Sequence, residues 1–188
     1  MEISQEEVKK LGESQTVEFK KSLSLTKEAC EALCGMINSD ITKGEIIFGV
    51  SPDGTPNGVE PGNLDTAQKT LAQHIRQKFD PPIICIIEVF ECGDMHLIKL
   101  KANRSYSISY HEYNGIAYIR EGTTTRKLSY QEKQNLIKKW DRDKHNGPWK
   151  CDRCGSFVGM IVSIELTEQH GIKKNYKCNC GGEYWPAT

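Results

Sequence analysis

The segment "ESQTVEFK", residues 13–20, carries the side chains whose types and spacing could do chemistry. Glu13 and Glu18 stand five positions apart, and Lys20 follows two residues later. The β-branched and aromatic residues of "TVEFK" predict a strand with side chains on alternating faces, so Glu18 and Lys20 should share one face. A carboxylate-bound divalent cation beside a lysine is the arrangement with which metal-dependent nucleases activate water and neutralise charge on a phosphodiester.

A third acid, Asp53, follows the buried-strand pattern "GEIIFGV" on a loop rich in turn-forming residues. If "TVEFK" and "EIIFGV" pair as neighbouring strands, Glu13, Glu18 and Asp53 could come together and would repel one another without a cation. Carboxylate oxygens suit Mg²⁺ or Mn²⁺, so the hypothesis is a three-carboxylate metal site. In the alternative interpretation the acids are structural and pair with Lys20 or Arg120, as buried acids often must.

Four cysteines cluster near the C-terminus in metal-ligand spacing. They form one CxxC pair and one CxC pair, separated by 23 residues that contain two strand-like segments. Four thiolates suit a closed, tetrahedral zinc site with a structural role, because they leave zinc no open position for catalysis. The sequence therefore predicts a zinc-ribbon-like module over residues 149–188, with Cys151, Cys154, Cys178 and Cys180 as the zinc ligands.

The elements that must position these residues are signalled by caps and by periodicity. Ser4 and Glu7 have the spacing of a capping box, as do Ser129 and Glu132, and Gly12 stands where a helix should end. Helices are expected over residues 4–11, from residue 26, over about 64–79 and from residue 129. Hairpins are expected around residues 91–94 and around Asn114-Gly115. This order predicts an α+β domain over residues 1–145, with a mixed or mainly antiparallel sheet and flanking helices.

The charges of the chain are unevenly distributed. Residues 1–98 carry 9 Lys and Arg against 16 Asp and Glu, whereas residues 99–150 carry 12 against 5. A basic region of this kind could hold phosphates, although neutralising solvated faces would explain the counts equally well. No apolar run approaches the length of about 20 residues that spans a bilayer, and the polar N-terminus is unlike a signal peptide, so a cytoplasmic protein without membrane contact is expected. His111, which has no visible partner in the sequence, is interpreted as a surface histidine.

Three stretches together resemble the Schlafen core domain, also described as an AlbA-type DNA-binding domain. They are "ESQTVEFK", "FGVSPDGTPNGV" and "AYIREGTTTRKLS", and the resemblance extends over roughly residues 8–140. It implies an Mg²⁺- or Mn²⁺-dependent endoribonuclease that cleaves structured, tRNA- or rRNA-like RNA. In that case Glu13 and Glu18 match two metal-binding acids, and Asp53 is the best match for the third. The basic residues implied near phosphates are Lys20, Lys21, Arg120, Arg126 and Lys127.

Schlafen cores with two related lobes clasp an RNA helix, and this chain has room for one lobe, so the resemblance also implies a homodimer. Three hypotheses stay open. The first is the endoribonuclease; the second is a non-catalytic module that binds RNA or DNA; the third is an adaptor whose zinc module contacts a protein partner.

Overall fold

The computed structural model describes residues 2–59, 64–105, 108–145, 149–151, 160–167, 171–177 and 184–186. The chain divides into two compact units, residues 1–133 and 134–188. The helices are α1 (Gln5–Leu11), α2 (Thr26–Asn38), α3 (Leu64–Lys78) and α4 (Tyr130–His145), and a short 3-10 helix spans Leu23–Leu25. The first unit contains the strands β1 (Val17–Lys20), β2 (Lys43–Phe48), β3 (Phe79–Asp80), β4 (Cys85–Cys92), β5 (Met95–Asn103), β6 (Glu112–Tyr113), β7 (Tyr118–Glu121) and β8 (Thr124–Lys127).

Both predicted capping boxes form. The Glu7 amide donates to Ser4 Oγ at 3.2 Å, and the Ser4 amide donates to Glu7 Oε2 at 2.8 Å. Ser129 and Glu132 make the same reciprocal pair at the start of α4. Gly12 ends α1 with a positive φ of 58°, which glycine adopts without strain. These local signals therefore set the helix ends where the sequence places them.

The main sheet has four strands in the order β1-β2-β5-β4. β1 and β2 run parallel, while β5 is antiparallel to both β2 and β4. The combination of helices with a mixed, mainly antiparallel sheet confirms the predicted α+β class. The pairing of β1 with β2 is also confirmed, and it places Glu18 beside Ile46.

Apolar side chains bury against both faces of this sheet. On one face, α2 and α3 pack on Ile46, Phe48 and Leu100, with Leu33 and Ile75 among the buried helix residues. On the other face, α1 packs Val8 against the sheet; its buried neighbours there are Phe19, Ile47, Phe90 and Leu97. Burying each large apolar side chain stabilises the fold by about 1.5–3 kcal/mol, so the sheet is fixed from both sides.

One predicted hairpin is confirmed in full, whereas at Asn114-Gly115 the predicted tight turn forms but no strand ladder follows it. β4 and β5 form the first, closed by Gly93-Asp94. Around Asn114-Gly115 there is only a single bridge, between Tyr113 and Ile116; β6 pairs instead with β3, and β7 pairs with β8. The cause is Asn38, whose side chain occupies backbone groups of both predicted partner strands, as described below.

The second unit contains β9 (Trp149–Cys151), β10 (Met160–Thr167), β11 (Gly171–Lys177) and β12 (Tyr184–Pro186). β10 pairs antiparallel with β11, and β9 pairs antiparallel with β12. Cys151 ends β9, whereas Cys154, Cys178 and Cys180 lie outside the described residues. The zinc-ribbon module and the domain bounds 1–145 and 149–188 therefore stay predictions. Of the helices in the described parts of the chain, none has the length and apolar character needed to cross a membrane.

Candidate functional site

Glu18 and Lys20 lie on the same face of β1, as the alternation of the strand predicts. Glu18 stands beside Ile46 of β2, on the sheet face that α2 covers, and its side chain is 12% exposed. Lys20 Nζ forms an ion pair with Glu18 Oε1. The glutamate is thus a largely buried anion whose first partner is the lysine two residues along the same strand.

Arg120 is the second partner of Glu18. This arginine of β7 is only 1% exposed, and its NH2 group donates to Glu18 Oε2 at 2.6 Å. Its Nε and NH2 also donate to the Ser14 carbonyl at 3.1 and 3.0 Å, and NH1 donates to Thr125 Oγ1 at 3.2 Å. The guanidinium therefore joins "ESQTVEFK" to the β7–β8 hairpin from beneath the surface, rather than from the exposed position in which phosphate contact was predicted.

The close approach of β7 to α2 makes this position possible. Gly35 of α2 faces β7, and a Cβ there would lie 3.0 Å from the Ile119 carbonyl carbon and 3.1 Å from the Arg120 nitrogen. These distances are shorter than ordinary van der Waals contact between carbon atoms. Only glycine lets the strand pack against the helix so closely, and this packing carries Arg120 to Glu18.

Glu13 closes the free edge of β1. Its Oε1 accepts the Phe19 amide at 3.1 Å, and the Ser14 amide donates to the Val17 carbonyl at 2.9 Å. β1 is an edge strand of the sheet, so these groups would otherwise face solvent or another strand. The first glutamate of the segment thus makes a structural hydrogen bond next to the second.

Asp53 lies away from this arrangement. It stands exposed on the loop after β2, where its Oδ1 accepts the Thr55 amide at 2.9 Å. That hydrogen bond, with a smaller contribution from Lys9 of α1, lowers the pKa of the Asp53 carboxyl. The loop approaches α1, and α1 covers the opposite sheet face from the one that Glu18 occupies. In the described parts of the chain, no three His, Cys, Asp or Glu side chains are grouped so that they could hold a metal ion.

The remaining predicted basic residues differ in exposure and pairing. Lys21 and Lys127 are exposed. Arg126 NH2 lies 2.7 Å from Glu132 Oε1 and 2.6 Å from Glu121 Oε1. Hydrogen bonds with Glu132 and then Glu121 raise the pKa of the Arg126 guanidinium. The hydrogen bond from Arg126, followed by those from Ser129, lowers the pKa of Glu132 to about 2. Two carboxylates thus offset the charge of Arg126.

The family described as "Schlafen, AlbA_2" matches residues 13–129, which include the acidic segment, both core helices and the β7–β8 hairpin. The chain belongs to this family. Membership of the Schlafen AlbA_2 family indicates a function in nucleic-acid binding or nuclease activity.

A solved structure supports the fold. The DIP2311 protein from Corynebacterium diphtheriae resembles this Schlafen AlbA_2 chain with a TM-score of 0.50 at 13% sequence identity. The similarity covers 81% of the chain but only 26% of the DIP2311 protein, so the chain spans about a quarter of that structure. No protein with a curated description matches the sequence.

The acidic segment of this Schlafen AlbA_2 chain, as it is arranged, does not fit Mg²⁺ or Mn²⁺. A divalent metal of this kind needs several oxygen ligands, usually carboxylates and waters. Glu18 already shares one oxygen with Lys20 and the other with Arg120, Glu13 Oε1 accepts a backbone hydrogen bond, and Asp53 stands toward the other sheet face. The metal role of these three acids stays a prediction.

Asn38 holds β7, the strand that carries Arg120, and sequence reasoning missed this role. Asn38, buried at the end of α2, donates from Nδ2 to the carbonyls of His111 and Tyr118 at 2.8 and 2.9 Å, and its Oδ1 accepts the His111 amide at 2.8 Å. The expectation of a surface histidine is wrong: His111 is buried, and Nδ1 lies 2.7 Å from the Pro81 carbonyl oxygen. Burial lowers the pKa of His111. A polar residue at a helix end is usually a cap, so the sequence held no signal for this bridge.

Proposed function

We propose that this chain is a nucleic-acid-binding module in which Glu18 is structural. The observation that carries the proposal is the Glu18 carboxylate held between Lys20 and the buried Arg120. A buried anion with two cationic partners is compensated without a metal ion, whereas loss of those partners would leave charges unpaired in the interior. Glu18 thereby fixes Lys20 at the end of β1, next to Lys21.

Of the basic residues predicted near phosphates, we assign phosphate contact to Lys21 and Lys127, which are exposed. Phosphate contacts by lysine are electrostatic, and they release counterions from the nucleic acid. Each such contact should therefore contribute to the salt dependence of binding. Arg120 supports the surface from below and Arg126 is largely neutralised, so neither should be a principal phosphate contact.

The experiment is a fluorescence-anisotropy titration of a labelled RNA hairpin, and of a DNA duplex, with the full chain in low salt and EDTA. Binding is expected in EDTA, and Lys21→Ala should weaken it and reduce the salt slope by about 1. Lys69→Ala is the matched control, because Lys69 is also exposed but pairs with Asp65 on α3. Absence of retained RNA and DNA at low salt would contradict the proposal and favour the adaptor hypothesis.

The second candidate is a metal-dependent endoribonuclease acting on structured, tRNA-like RNA. It is favoured by one observation: the Glu13 carboxylate accepts the Phe19 amide, so it lies beside β1, the strand that carries Glu18. Metal binding there would require Glu18 to leave Lys20 or Arg120. The test is incubation of total tRNA with the chain in Mg²⁺ or Mn²⁺, beside EDTA, Glu18→Ala and Glu13→Gln controls.

Discrete tRNA fragments that need the metal and disappear in both variants would establish this second candidate and overturn the structural role of Glu18. Intact tRNA in every lane, with RNA binding retained in EDTA, would support the binding module. Because Glu18→Ala removes a buried partner, its folding is checked by circular dichroism before the lanes are compared.

Two further proposals remain, the first from the resemblance and the second from the spacing of the cysteines. One is that two copies of the chain clasp a nucleic-acid helix between them. The other is that Cys151, Cys154, Cys178 and Cys180 bind one structural zinc ion, which elemental analysis of the purified chain would detect. Cys178→Ser should abolish that zinc, because removal of one thiolate opens the tetrahedral site.

A further inference from the structure

The outer strand of the main sheet, β4, is unusually apolar for an edge. Ile84, just before the strand, is 88% exposed, and Ile86 is 58% exposed. On the opposite face Ile83, Cys85, Ile87 and Val89 pack on the core but stay only partly buried. Natural proteins usually protect such edges with charges, prolines or a covering segment, because an open apolar strand invites pairing with another chain.

The backbone of β4 also offers hydrogen-bonding groups away from the sheet. β4 and β5 are joined by the two-residue turn Gly93-Asp94, so Cys92 and every second residue before it face β5. The intervening residues, including Cys85 and Ile87, direct their amides and carbonyls outward. The Glu91 carbonyl shows this direction, because it accepts the Ile3 amide at 2.9 Å.

The two edges of the sheet differ in protection. The edge of β1 is closed by the Glu13 side chain and the Ser14 amide. In the described parts of the chain, β4 pairs with β5 and, beyond it, makes only the Glu2–Glu91 bridge at one end. Among the residues that the structure describes, the stretch before Glu88 is therefore an open edge of the sheet.

The sequence of that stretch is a palindrome, "IICII", from Ile83 to Ile87 with Cys85 at its centre. Antiparallel pairing of two copies about a two-fold axis through Cys85 places Ile84 opposite the partner's Ile86 and Ile83 opposite the partner's Ile87. All paired side chains are uncharged and apolar, and the outward amides of Cys85 and Ile87 meet outward carbonyls. Before the palindrome, Pro81 has no backbone N–H to donate, so the ladder between the two copies ends there.

We propose that β4 pairs with β4 of a second copy of this chain, joining two four-stranded sheets into one continuous sheet of eight strands. Any extended peptide could satisfy the backbone groups of this edge. A palindromic apolar segment, by contrast, matches its own copy residue for residue, which is the self-complementarity that a two-fold interface needs. The interface is independent of the nucleic-acid surface proposed above.

The experiment is sedimentation velocity on the full chain without nucleic acid, over a range of concentrations. The wild-type chain should sediment as a dimer of the 21.3 kDa chain. Ile84→Lys and Ile86→Lys should each raise the dissociation constant by about tenfold or more, because the symmetry applies each substitution twice. The double variant Ile84→Lys with Ile86→Glu should restore the dimer, because the introduced lysine of one copy would then face the introduced glutamate of the other. Ile41→Lys is the control, since Ile41 is 41% exposed outside this edge.

Both substituted positions face solvent, so the variants should fold, and circular dichroism checks that they do. A wild-type chain that stays monomeric at its highest soluble concentration overturns the proposal. So does a dimer that Ile84→Lys and Ile86→Lys leave intact, because that dimer would use another surface. Failure of the double variant to restore association would overturn the register centred on Cys85. None of these outcomes depends on RNA binding, so this proposal and the proposed function can fail separately.

Discussion

Replacement of Arg120 by methionine tests the claim that Glu18 is a structural anion. The substitution keeps an unbranched stem, which ends about where the guanidinium begins, and removes the donors to Ser14, Thr125 and Glu18. Removal of one partner of a buried ion pair costs about 3–5 kcal/mol. Because Lys20 still accompanies Glu18, we expect the lower end of that range, a loss of about 3 kcal/mol in the free energy of unfolding.

A double-mutant cycle separates the pair from the rest of the Arg120 contacts. Glu18→Gln alone leaves the buried guanidinium without its carboxylate and should cost about 2–3 kcal/mol. In the double variant neither charge is left unpaired, so its loss should be smaller than the sum of the single losses by about 1–2 kcal/mol. A coupling energy of this size would show that Glu18 and Arg120 stabilise the folded chain by interacting with each other.

The assay is urea unfolding followed by far-ultraviolet circular dichroism. Tryptophan fluorescence is unsuitable, because the three tryptophans stand at positions 140, 149 and 185, all in the second unit of the chain. Arg126→Met is the matched control. Arg126 also contacts two carboxylates, but at the surface, where water screens the pairs, so its removal should destabilise the chain far less.

Equal, small losses in Arg120→Met and Arg126→Met would refute the reasoning, because they would mean that burial adds nothing to the Arg120 contacts. A coupling energy near zero in the cycle would separately refute the pairing of Glu18 with Arg120. If Glu18→Gln alone leaves the free energy of unfolding unchanged, Glu18 is not a structural anion, and the result favours its role as a metal ligand.

Three further predictions concern the framework behind the site. Asn38→Leu removes three buried hydrogen bonds to the backbone of His111 and of β7, and should cost about 3 kcal/mol in urea unfolding. Burial lowers the pKa of His111 in the folded chain, so the unfolded chain takes up the proton first. The contribution of His111 to stability should then be constant above about pH 6.5 and fall by up to about 1.4 kcal/mol per pH unit below it, until the lower pKa of the folded chain is passed. His74, whose pKa burial also lowers, acts in the same direction, and His111→Gln should reduce the fall without abolishing it. Gly35→Ala should cost about 1–3 kcal/mol, because its Cβ would press on the Ile119 carbonyl carbon; an unchanged urea midpoint would contradict the close packing of β7 on α2.

The elements that local chemistry controls could be predicted from the sequence. The Ser4–Glu7 box, the Ser129–Glu132 box and the turn between β4 and β5 all depend on residues within a few positions of one another. The pairing of β1 with β2 could be stated only as a condition from the sequence, and the structure meets that condition. Accordingly the α+β class and the shared face of Glu18 and Lys20 are apparent without a structure.

The parts that distant residues control could not be predicted in this way. The tight turn at Asn114-Gly115 forms, but its strand ladder is missing because Asn38, 73 positions before His111, takes the backbone groups that a ladder would need. Pairing of the acids with Lys20 or Arg120 is one of two interpretations that the sequence leaves open, and Glu18 does pair with both. The burial of Arg120 has no local signal, because its partner Ser14 is 106 positions away and arginine is rarely buried. Asp53 follows β2, as the sequence predicts, but the loop that carries it turns toward α1. No residue near Asp53 in the sequence signals that turn.

The 106 positions that separate Ser14 from Arg120 in the sequence have a consequence for synthesis of the chain. When synthesis reaches Asn103, the last residue of β5, all residues of the four-stranded sheet and of "ESQTVEFK" have been made, but those of β7 have not. Until β7 is made, Glu18 can pair with Lys20 but not with Arg120, and the Ser14 carbonyl lacks the hydrogen bonds that Arg120 donates. A nascent chain therefore carries the acidic segment in a looser state, and the docking of a strand made about a hundred residues later converts it into the fixed site.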